Sequence, residues 1–104
     1  PDCAAPMMSQ LILRPQAEAD LAEEYAWYEE RRAGLGQSLL LSVEAALASI
    51  QENPLLFPVV HRNIRRALIR RFPFGVYYLV DREMVVVVAI FHASRDPKGW
   101  RLRS

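Results

Sequence analysis

The chain has 104 residues, 52% of them hydrophobic, which bounds it to one domain with a modest core and leaves no room for separate catalytic and regulatory units. Its single cysteine, Cys3, excludes an internal disulfide and a cysteine-based zinc site, and fits a reducing, cytoplasmic setting. The net charge of +1 hides a split: residues 1–60 hold three basic and nine acidic side chains and residues 61–104 ten and three, so the halves carry −6 and +7, and only the second suits an anionic partner.

The opening PDCAAPM has neither a basic n-region nor an apolar h-region, so no secretory signal is expected, and Met8 before Ser9 is an alternative start. Residues 1–8 are expected to form a flexible tail and residues 9–104 a single domain. Gln10–Leu13 (QLIL) reads as a short strand, and Pro15 suits the first turn of a helix, where its missing N–H costs nothing. That helix is expected over 15–32, with Ala17, Leu21, Tyr25 and Tyr28 on one stripe, early acids at its N-terminus and Arg31 and Arg32 at its C-terminus. Gly34 and Gly36 break it. A second helix over 36–53 carries Leu39, Leu40, Val43, Ala46, Leu47 and Ile50 on one face and ends at Asn53-Pro54, and the short turn makes the pair an antiparallel hairpin.

Residues 54–63 form a loop rich in apolar groups. The period then changes: Ile64–Arg71 (IRRALIRR), Phe74–Val80 (FGVYYLV) and Met84–His92 (MVVVVAIFH) read as three consecutive antiparallel strands, with a hairpin turn at residues 81–83. Eight consecutive apolar residues, four of them valine, make Met84–His92 a central strand buried on both faces and far too short to cross a bilayer, so no membrane partner is expected. The order is β-α-α-β-β-β, an α+β fold with a helical hairpin on one face of a small antiparallel sheet. Its second face requires cover from a tail, the loop or a partner chain.

Three segments, RPQAEADLAEEYAWYEER, NPLLFP and RRALIRRFPFGVYYLVDREMVVVVAIFHASRDPKGW, together resemble the RelE/ParE superfamily of toxins from type II toxin–antitoxin modules, most closely the ParE-like branch. The resemblance spans residues 9–101 and rests on the ensemble, since no single piece is a catalytic signature. It implies a small cytoplasmic toxin neutralised by a cognate antitoxin, one with a ribbon-helix-helix DNA-binding start. The superfamily carries two activities on one fold: RelE-like members cleave messenger RNA on the ribosome, and ParE-like members inhibit DNA gyrase.

Metal-free RNA cleavage needs a base near the 2′-hydroxyl, cations around the crowded phosphate and an acid for the leaving oxygen. Arg71, His92 and Arg95, with Tyr78, are the candidates, His92 because its ordinary pKa of roughly 6.5 lies near cellular pH. Against this stands SRDPKGW, where Asp96-Pro97 replaces the cations a nuclease tail carries; the segment resembles the ParE-like ending instead. The other view of His92 is a strand-end residue bonded to nearby backbone, and of Arg95, Asp96 and Trp100 a tail pinned to the sheet.

Arg62, Arg65, Arg66, Arg70 and Arg71, five guanidinium groups in ten residues, form the strongest physical signal. They read as a solvated, charge-protected edge, as a contact for an acidic antitoxin segment, or as a contact for the target. Trp27 is expected to be available to a partner, with Tyr25 and Tyr28 in the core. His61 has no companion at metal-ligand spacing, and neither a metal nor another cofactor is expected. The resulting expectation is a toxin that inhibits gyrase by binding through Arg62, Arg65, Arg66, Arg70, Arg71, Trp27, Arg95 and Trp100. The alternatives are a ribosome-dependent mRNA endonuclease and an inactive toxin fold that only binds antitoxin.

Overall fold

The computed structural model describes residues 10–94 and 98–101. The expected tail over residues 1–8 therefore lies outside the described residues. The elements are β1 (Gln10–Leu13), α1 (Pro15–Arg31), α2 (Leu35–Glu52), β2 (Val59–His61), β3 (Ile64–Leu68), β4 (Phe74–Asp81), β5 (Met84–His92) and α3 (Lys98–Arg101). They build a helical hairpin on a five-stranded sheet of order β1-β5-β4-β3-β2.

The sheet is mixed, where the sequence led us to expect an antiparallel one. β1 lies parallel to β5, in register Gln10 with Met84 through Leu13 with Val87, while the other neighbours are antiparallel. A parallel neighbour needs a long crossover, and the whole chain from α1 to β4 supplies it. The apolar loop over 54–63 contributes the short edge strand β2. The strand expected over Ile64–Arg71 stops at Leu68, because Ile69 N–H donates to Phe74 O (2.9 Å) and closes the turn into β4, with Arg71 in a left-handed conformation (φ 73°).

β5 is central and buried on both faces, for a reason visible in its pairing. A bulge sets Tyr77 opposite Ala89 and Tyr78 opposite Val87, leaving Val88 as the extra residue. Val85, Val87 and Ile90 consequently face the helices with Ala17, Leu39, Val43 and Ile50, whereas Val86, Val88 and Ala89 face away with Ile64, Tyr77 and Leu79. The second face finds its cover in α3: Trp100, 4% exposed, stacks on Tyr77 with ring centroids 4.3 Å apart.

Three polar side chains lock the helical layer. Glu29 reaches past the end of α1, and its two carboxylate oxygens accept N–H groups of Gly34 and Gly36, each at 2.9 Å, which satisfies the start of α2. Gly34 takes φ 91°, and a Cβ on Gly36 would meet Glu29 Oε1 and Tyr25 O at 2.9 Å, so both glycines are required. Asp20 accepts the Ile90 N–H (3.1 Å) beyond the point where β1 ends. Tyr78 donates its hydroxyl to Pro54 O (2.6 Å), tying the end of α2 to the sheet.

Candidate functional site

The five clustered arginines do not form one stripe. Consecutive residues of a strand point to opposite faces, so Arg65 joins Tyr78 on the helix side and Arg66 joins Tyr77 on the other. Arg65 is half-buried and donates to Leu55 O (3.2 Å) and Phe57 O (2.6 Å), which makes it a brace for the loop before β2. The stem of Arg66 lies across Gly75, close enough that a Cβ there would meet its Cγ at 3.0 Å. Arg62 (φ 51°) is exposed at the β2–β3 turn, and Arg70 and Arg71 are exposed in the β3–β4 turn.

That last turn separates two grooves. One, of about 730 Å³, lies between α1 and the adjoining ends of β4 and β5 and is lined by Asp20, Glu23, Glu24, Trp27, Tyr28, Pro73, Phe74, Phe91 and His92. Trp27 is 50% exposed there, with the Arg31 guanidinium 3.9 Å from its ring centroid, and Tyr28 packs edge-on against both Trp27 and Phe72. The His92 ring meets Phe74 edge-on (5.6 Å), and its Nδ1 accepts the Ser94 N–H at 3.3 Å and lies 3.0 Å from Ser94 Oγ. The other groove, of about 480 Å³, lies between α2 and β3 and is lined by Ser38, Leu41, Ser42, Ala45, Ala46, Ser49, Phe57, Ala67, Leu68, Arg70 and Arg71. The structure thus brings Trp27 to His92 and Arg70 to Arg71, and it sends Trp100 to the opposite face of the sheet. Arg95 lies outside the described residues.

The model of the family described as "ParE toxin of type II toxin-antitoxin system, parDE" matches residues 11–97, most of the chain. The chain belongs to the ParE toxin family. It is a toxin component of a type II toxin–antitoxin system. Among solved structures it is similar in fold to a chain of a "Chromosomal ParDE TA system from P. aeruginosa", with a TM-score of 0.75 at 17% identity over 86% of this chain and 100% of that one. No curated protein matches the sequence.

Among the described residues of this ParE-family domain, the groups named for cleavage chemistry are committed or apart. Burial pushes the Tyr78 hydroxyl up to about 12, against a smaller opposing effect of Arg65, and its proton is already donated to Pro54 O. Arg71 and His92 line different grooves. His61, half-buried against Trp100 (6.0 Å, edge-on), has its pKa lowered by burial and by the Arg101 and Arg62 guanidiniums. Among the described residues no three His, Cys, Asp or Glu side chains gather as a metal site, and no helix is long and apolar enough to cross a membrane.

Sequence reasoning passed over the α2 groove, although a signal was present. The eighteen residues of α2 hold only two charges, Glu44 and Glu52, and Leu41 on its outer side is 56% exposed. A helix face that meets water is ordinarily charged, so an uncharged one marks a contact surface. The acids of α1 were read only for their fit to the helix N-terminus, since the meeting of Asp20, Glu23 and Glu24 with the ends of β4 and β5 depends on the tertiary fold.

Proposed function

We propose that this ParE-family toxin acts in the cytoplasm by binding DNA gyrase, without bond-breaking chemistry of its own, and that an antitoxin encoded beside it, with a ribbon-helix-helix start, neutralises it by covering its grooves. The observation that carries this reading is the division of labour among the candidate residues. Tyr78 and Arg65 are spent on internal bonds and His92 bonds its own strand-end neighbour, while the exposed cations Arg70 and Arg71 border an uncharged helix face. Exposed guanidiniums beside apolar surface favour recognition of a partner.

The test adds the purified protein to a gyrase supercoiling reaction and, separately, to a translation reaction with ribosomes and mRNA. The expected result is lost supercoiling with intact mRNA. Codon-specific mRNA cuts with normal supercoiling contradict the proposal and favour a ribosome-dependent endonuclease. Inertness in both, with tight antitoxin binding, marks a domain that serves only as a binding module.

A further inference from the structure

β1 forms an edge of the sheet, and its outer side meets no other strand among the described residues. Its pairing fixes which groups lie there. Arg14 N–H donates to Val87 O (3.0 Å), and the parallel register runs from Gln10 with Met84 to Leu13 with Val87. Backbone groups alternate in direction along a strand, so Gln10 and Ile12 turn theirs to β5 while Leu11 and Leu13 turn theirs outward. The side chains alternate as well. Leu11 and Leu13 pack half-buried against the helix-side core, and Ile12, 47% exposed, stands on the opposite face.

Edge strands are ordinarily blunted by charge, by proline or by a bulge, and β1 has none of these between Gln10 and Leu13. The geometry points to a second copy of this chain as the occupant of this edge, its β1 laid antiparallel on the first about a two-fold axis at Ile12. That register pairs Leu11 with Leu13 of the other copy and Leu13 with its Leu11, so every outward N–H and C=O group of both strands finds its complement. The two Ile12 side chains meet on the axis as a closely spaced pair, with Cα atoms about 4.5 Å apart, and the leucines meet across the helix side. The ladder ends at Pro15, which has no N–H to extend it and begins α1. Self-complementarity selects a second copy. An uncharged strand offers an ionic partner nothing, whereas the two-fold sets apolar on apolar on both faces and places Gln10, not a second cation, opposite Arg14. Two five-stranded sheets become one, with both helical hairpins on the same face. Neither groove has a residue of β1 in its lining, so the dimer presents each groove twice, whatever those grooves bind.

Sedimentation equilibrium of the full chain, with residue-resolved amide hydrogen exchange at the same concentrations, tests this. The expected result is a monomer–dimer equilibrium with a Kd between about 1 µM and about 1 mM, the weak range that suits a single strand pair. The Leu11 and Leu13 amides are expected to exchange at least ~10-fold more slowly in the dimer than in the monomer. Ile12→Lys, at an exposed position, is expected to abolish the dimer by setting like charges together on the axis while leaving the thermal transition in place. Should that variant fail to fold, amide exchange in the unaltered chain decides. A monomer mass up to about 1 mM overturns the proposal. So does a dimer whose Leu11 and Leu13 amides exchange as in the monomer, or one that persists in folded Ile12→Lys. Protection of both amides at every concentration without a dimer overturns it in favour of cover by another part of the same chain.

Discussion

The two grooves that flank the β3–β4 turn share a border and almost nothing else. The α1 groove sets Asp20, Glu23 and Glu24 among aromatic rings, and the α2 groove sets Arg70 and Arg71 at the mouth of a lining of serine, alanine and leucine. The −6 and +7 halves of the chain are thus folded against each other so that a partner crossing this end of the molecule meets opposite charges within one turn of chain. Such an arrangement sets the direction in which a partner lies, because the reversed orientation places like charges together.

The largest expected effect concerns what the grooves have in common, the sheet behind them. Trp100→Ala removes the ring that covers Tyr77 on the far face, and should cost about 3–5 kcal/mol of stability in denaturant unfolding. It should leave the preference between an acidic and a basic partner unchanged; a shifted preference would join the far face to the site. Next comes the contrast itself. Reversing Arg70 and Arg71 to Glu should weaken antitoxin binding about 100-fold and flatten its salt dependence. Reversing the exposed Glu23 to Arg in the other groove should change affinity for an acidic segment by less than about threefold. Equal losses at both sites, measured by calorimetry, would abolish the distinction between the grooves.

Smaller effects test the frame that holds the grooves open. Glu29→Ala leaves the N–H groups of Gly34 and Gly36 without their carboxylate and should cost about 2 kcal/mol. Tyr78→Phe removes the bond to Pro54 O at about 1 kcal/mol. The same hydroxyl gives a pH signature. Its folded pKa of about 12 stands above the ordinary 10, so its contribution is complete below pH 10 and is lost as pH rises through about 12. Alkaline unfolding of Tyr78→Phe should lack that component in this window.

How much of this was legible beforehand depends on the range of the forces involved. Met84–His92 was readable to the residue, since an unbroken apolar run bounded by charge admits one element, and both helices were readable within a residue from their period and glycine or proline ends. The parallel pairing of β1 was hidden, because QLIL carries no directional information and its neighbour lies more than seventy residues away. The arginine cluster misled through its density along the chain. Period-two alternation alone would have put Arg65 and Arg66 on opposite faces, and it takes the fold to show that Arg65 braces Leu55 and Phe57 while Arg70 and Arg71 stay exposed. The acid-lined groove required tertiary structure, and the bare face of α2 did not.

The smallest expected effect is the most direct test of the central claim, that the toxin acts by binding and that His92 performs no chemistry. His92→Ala should inhibit gyrase supercoiling within about twofold of the unaltered chain, because the ring's contacts are with Phe74 and Ser94 at the end of its own strand. Abolished toxicity from this single replacement, with mRNA cleavage by the unaltered chain, would contradict the account and put the histidine at the reacting atoms.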